Sequence, residues 1–86
     1  MEAPEYYEHI RLRDVFQRDV VAVDTMLDTL KAQKRLLTHV LAREETYKAL
    51  FSLDSTIGSL ERLKDQIQGE VDDHTVQATA GRYDHA

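Results

Sequence analysis

Histidine and carboxylate side chains occur together near both ends of the chain, where they could bind a metal ion. Glu5 and His9 are four residues apart with Glu8 beside His9, so a helix would place Glu5 and His9 on one face. The segments "DDH" (72–74) and "YDH" (83–85) repeat the pairing of acid and imidazole. The Glu-x-x-His spacing of di-iron helical bundles is absent. We predict no metal site and no cofactor. A divalent ion bound by these histidines across a dimer interface is kept as an alternative.

Residues typical of catalytic loops are scarce in this sequence. The three glycines all lie in the second half of the chain, and no glycine-rich phosphate loop, nucleophile elbow or Ser/His/Asp spacing is present. The sequence therefore predicts a protein that is not an enzyme.

Composition indicates one small all-α domain. The 86 residues contain no cysteine and one proline, and helix-forming residues are abundant. No apolar run approaches the roughly 20 residues of a membrane span, and the N-terminus does not read as a signal peptide, so we expect a cytoplasmic protein. The net charge of −5 argues against nucleic acid as a partner.

A long amphipathic helix is predicted for the first half of the chain. Neither glycine nor proline occurs between Glu5 and Ile57. Apolar residues in this half recur with the alternating spacing of four and three that is typical of coiled coils and helical bundles. They are Phe16, Val20, Val23, Leu27, Leu30, Leu37 and Leu41, with Lys34 interrupting the series.

A second helix is predicted because the apolar register shifts by two residues after Phe51. Leu53, Ile57, Leu60 and Ile67 follow the new register. The polar residues Ser52, Asp54, Ser55 and Thr56 favour a break, with Asp54 as N-cap, and Gly69 favours an end to the second helix. We expect a hairpin with a long first helix (4–51) and a shorter second helix (54–68). Residues 1–69 would form the domain, and residues 70–86 an acidic, flexible tail. A three-helix bundle broken near Asp24 and one continuous helix are the alternatives.

Helix lengths turn this layout into a functional prediction. The first helix would be about 70 Å long and the second about 22 Å, leaving residues 15–30 uncovered within the chain. An exposed apolar stripe of that size favours an interface. We therefore predict a non-catalytic interaction or assembly module, such as an adaptor, small chaperone, inhibitor or structural subunit. It would form a homodimer or homotetramer through the apolar series Phe16 to Leu41 and bind another protein.

Charge is distributed unevenly along the chain. No acid occurs between Asp28 and Glu44, whereas Lys31, Lys34, Arg35 and Arg43 do. Residues 52–86 carry seven acids against three bases. Opposite signs favour pairing of the basic stretch with the second half, within the chain or across a dimer. The alternative is a basic patch that binds anionic membrane or nucleic acid.

The run "YYEHIRLRDVFQRDVVAVDTMLDTLKAQKR" (6–35) resembles the long helices of sorting-nexin BAR domains. That family forms curved antiparallel dimers on membranes, so the resemblance implies a membrane surface as a partner. The chain departs from the family because it is too short for three long helices.

Overall fold

In the computed structural model, which describes residues 4–84, the chain forms an antiparallel hairpin of two long α-helices. Helix α1 spans Pro4–Leu37 and helix α2 spans Glu44–Asp84, and the two pack against each other. The chain measures 64 × 14 × 13 Å. The prediction of an all-α hairpin is confirmed, and α1 runs through Asp24 unbroken, so the three-helix alternative is wrong.

The turn lies at residues 38–43, earlier in the chain than predicted. The amide groups of His39 and Val40 donate to carbonyl oxygens three residues back, which tightens the end of α1. The Thr46 hydroxyl donates to the Leu41 carbonyl oxygen at 2.8 Å and fixes the start of α2. Basic residues occupy the last turn of α1 and acidic residues the first turn of α2, as the helix dipoles favour.

The predicted break at residues 52–54 is wrong because its polar side chains are accommodated within α2. The Thr56 hydroxyl donates to the Ser52 carbonyl oxygen, a bond compatible with a continuous helix. Asp54 forms an ion pair with Lys34 of α1 and does not cap a helix. The change of register has another explanation: Phe51 is exposed and does not belong to the apolar stripe.

The predicted end at Gly69 is also wrong. Helix α2 continues to Asp84, and none of the described residues has a positive φ, so Gly69 is an ordinary helical residue. At 41 residues, α2 is longer than the 34-residue α1, reversing the predicted order of lengths. Val71 and Ala78, which lie beyond that expected end, are buried against α1.

A narrow hydrophobic core runs between the helices. Its central cluster consists of Val23 and Leu27 from α1 and Ile57 from α2, with Leu30, Leu60 and Ile67 packed against it. The predicted roles of Ile57, Leu60 and Ile67 in holding the second helix are thus confirmed. Among the described side chains, no large residue is completely buried, as expected for two helices with solvent on every outer side.

Candidate interaction surfaces

The predicted interface residues of α1 mostly face α2 of the same chain. Val20, Val23 and Leu27 are buried in the hairpin. Leu41 lies in the turn and is exposed, so it does not continue the helical series. The expectation that residues 15–30 are uncovered is wrong, because α2 runs beside the whole of α1.

Leu30, Leu37 and Phe16 are half-buried. These three residues of the predicted series line the margins of the helix pair, where solvent still reaches them. Apart from Leu41, the series therefore packs within the hairpin, and any surface for a second molecule has to lie at the sides or ends of the helix pair.

One side of the helix pair, which we call the charged edge, carries alternating acids and bases. Asp24 of α1 pairs with Lys64 of α2 at 2.7 Å, and Lys31 of α1 pairs with Glu61 of α2 at 3.5 Å. The hydrogen bond and the negative charge of Asp24 raise the pKa of Lys64. Lys34 and Asp54 add a third pair between the helices. These ion pairs between the helices favour one register of α1 relative to α2.

The predicted basic patch is therefore divided between two roles. Lys31 and Lys34 are bound to acids of α2, which confirms the prediction that the basic stretch pairs with the second half of the chain. Arg35 and Arg43 form no ion pair with the described residues and lie at the turn. Of the four residues in the predicted basic patch, Lys31 and Lys34 are paired, whereas Arg35 and Arg43 have no acidic partner among the described residues and could contact another molecule.

The opposite side of the helix pair holds a groove, which we call the uncharged edge, and none of the residues that line it is ionisable. The groove is shallow and is lined by seven residues that are either apolar or neutral and polar. They are Thr25, Met26, Thr29, Leu30 and Gln33 of α1 with Thr56 and Leu60 of α2. The contrast with the charged edge follows from helical geometry, since Met26 and Thr29 project to one side of Leu27 whereas Asp24 and Asp28 project to the other.

The turn end of the hairpin exposes several large apolar side chains, which we call the apolar tip. Their exposed fractions range from 53% to 75%. The tip consists of Leu36, Val40, Leu41, Tyr47 and Phe51. Sequence reasoning missed this feature because a helix through residues 38–43 was expected, and in that arrangement these residues would be scattered along one rod.

The open end of the hairpin brings together two histidines that are 65 residues apart in sequence. The Nδ1 atoms of His9 and His74 are 2.8 Å apart, and the His74 ring stacks on Phe16 with centroids 5.7 Å apart. Glu70 Oε2 is 3.8 Å from His74 Nε2. A hydrogen bond between the two Nδ1 atoms needs one proton, donated by one ring and accepted by the other.

A divalent ion bound by histidines across a dimer interface, the alternative kept above, stays a prediction. Within the described part of the chain, no group of three or more histidine or acidic side chains has an arrangement that could hold a metal ion. The Asp84 and His85 side chains lie outside the described side chains, and so does that of Glu5. The contact between His9 and His74 links α1 to α2 at the end of the hairpin opposite the turn.

No helix in the described range 4–84 is both long enough and apolar enough to cross a bilayer. Comparison with protein-family models, curated proteins and solved structures finds no match. The similarity of residues 6–35 to sorting-nexin BAR helices stays a prediction. Function is therefore inferred from the surfaces of this chain alone.

Proposed function

We propose that this protein is a non-catalytic assembly module that self-associates along its uncharged edge. Two hairpins placed edge to edge would form a four-helix bundle, in which Met26, Leu30 and Leu60 become core residues. The observation that carries the proposal is a groove lined only by uncharged side chains on one side of the helix pair, whereas the other side carries ion pairs between the helices. A hairpin that functions as a monomer gains nothing from having ion pairs on one side and an uncharged groove on the other.

Surface area supports a second copy as the occupant of that edge. The chain exposes 6375 Å², whereas a compact monomer of this mass exposes about 5,200 Å². Its radius of gyration is 19.3 Å, against about 12 Å for a compact domain of this length. A standard interface covers about 800 Å² on each partner, so one edge-to-edge contact would remove much of the excess.

Self-complementarity also favours a second copy. In a two-fold dimer the same residue from both chains lies near the symmetry axis, so a charged side chain there would face its own like charge. The uncharged edge avoids this repulsion, and the small side chains of its three threonines favour a close approach of two helices. Met26 can adapt its flexible side chain to an identical neighbour.

The test is the oligomeric state of a matched pair of variants. Met26, 49% exposed, lies on the uncharged edge, whereas Val21, 62% exposed, lies on α1 beside Asp14 and Arg18. We expect light scattering coupled to gel filtration to show a dimer or tetramer for the wild type and for Val21→Lys. Met26→Lys should be a monomer because its ammonium would be buried without a partner.

Circular dichroism at the same concentrations checks that both variants remain helical. A wild-type protein that is monomeric at micromolar concentration would overturn self-association. A Met26→Lys variant that keeps the wild-type mass would instead place the interface elsewhere on the molecule and refute the assignment to this edge.

A further inference from the structure

The apolar tip has a shape that differs from an ordinary binding groove. Leu36 lies on the outer side of α1, Phe51 and Tyr47 lie on the outer side of α2, and residues 40–41 lie in the turn between them. The apolar side chains thus surround the end of the hairpin. A flat protein surface could cover only one side of such a projection, whereas a fluid apolar medium covers all of it.

Part of the backbone of the turn is hydrogen-bonded within the chain. The amides of residues 38, 39 and 40 donate to carbonyl oxygens of the last turn of α1. The Thr38 hydroxyl donates to the Arg35 carbonyl oxygen, and Thr46 satisfies the Leu41 carbonyl oxygen. Since an unpaired peptide group in hydrocarbon costs several kcal/mol, these bonds lower the cost of moving the tip out of water.

The charge around the tip is positive although the chain as a whole is negative. Residues 31–48 contain five bases and two acids. Glu61 and Asp54 of α2 pair with Lys31 and Lys34, so the local net charge is +1 in a protein of net charge −5. Glu44 and Glu45 both contact Lys48, which offsets part of their charge. Arg35 and Arg43, at the two ends of the turn, are left without an acidic partner among the described residues.

We propose that the apolar tip binds the surface of an anionic phospholipid bilayer. Leu36, Val40 and Leu41 would enter the boundary between headgroups and acyl chains, and Tyr47 would lie at headgroup depth, where aromatic side chains are favoured. Arg35 and Arg43 would contact lipid phosphates or carboxylates. Binding is peripheral and reversible, since only a few side chains are buried, and it does not depend on the uncharged edge.

The experiment is co-sedimentation of the full chain with vesicles of phosphatidylcholine alone and of phosphatidylcholine with phosphatidylserine. We expect binding only to the anionic vesicles, weakening as salt is added because exposed charges are screened. Arg43→Gln should weaken binding about fivefold, the effect of one basic residue near an anionic surface.

A matched pair of substitutions tests the position of the contact. Val40 in the tip and Val76 near the open end are both exposed, at 53% and 67%. Val40→Asp should weaken binding about tenfold or more, because it removes apolar area and adds a repelled charge at the bilayer. Val76→Asp adds the same charge about 50 Å away along the hairpin and should bind within about twofold of the wild type.

Wild-type protein that stays in the supernatant with anionic vesicles would overturn the proposal. So would a Val40→Asp variant that binds as tightly as Val76→Asp, with both variants fully helical. Either result would indicate that the apolar tip binds a protein partner instead, in a pocket that encloses it.

Discussion

Replacing Gly69 with alanine should stabilise the protein, because Gly69 lies in the interior of α2. The backbone there is helical with a negative φ, and a β-carbon built on Gly69 meets no atom within 4 Å. Alanine is favoured over glycine in a helix interior by about 0.8–1.0 kcal/mol, mainly because glycine loses more backbone freedom on folding. In a domain of this size, that gain corresponds to a rise in melting temperature of about 4–8 °C.

Thermal unfolding followed by circular dichroism, at one fixed protein concentration, measures this change. Gly58→Ala is the companion variant, since its β-carbon would meet Arg62 Nη1 at 3.4 Å, a flexible group that can move aside. It should also stabilise, by a similar or slightly smaller amount. A lower melting temperature for Gly69→Ala would refute the continuous α2, because alanine is penalised only if residue 69 terminates a helix in a left-handed conformation.

Two other substitutions test the core and the open end. Leu27→Ala should lower the free energy of unfolding by about 2–5 kcal/mol in urea titrations, because Leu27 is 4% exposed at the centre of the core. Leu36→Ala, at a residue 71% exposed, should cost far less, and equal losses would contradict the packing described. His74→Ala should speed amide hydrogen exchange in residues 4–16 and 71–84, whereas His39→Ala in the turn should not. Unchanged exchange at the open end would show that the histidine contact does not hold it closed.

Much of the core could be predicted from the sequence, because helical periodicity is a local property. The spacing of Val20, Val23 and Leu27 marks one face of α1 whatever that face contacts. Ile57, Leu60 and Ile67 mark a face of α2 in the same way. Periodicity does not say which molecule covers a face, and the long uncovered stripe was inferred only because the turn was misplaced.

The turn could not be located because residues 38–43 contain neither glycine nor proline. The structure makes it from residues with ordinary negative φ angles, using hydrogen bonds from Thr38 and Thr46 that resemble common helical side-chain contacts. The serine, threonine and aspartate residues at 52–56 give a stronger local signal for a break. That signal is overridden because Asp54 is held by Lys34 and Ile57 is buried against α1.

The sequence by itself determined that this chain is helical and which residues could form an apolar seam, since both follow from composition and from a repeat of 3.6 residues. Only the tertiary structure decided where the chain reverses direction. The position of that turn decides which residues of α1 and α2 lie side by side. The turn at 38–43 places His9 beside His74, Asp24 beside Lys64, and five apolar side chains around one tip. These contacts join residues 40 to 65 positions apart or depend on that one loop, so no local pattern in the sequence contains them.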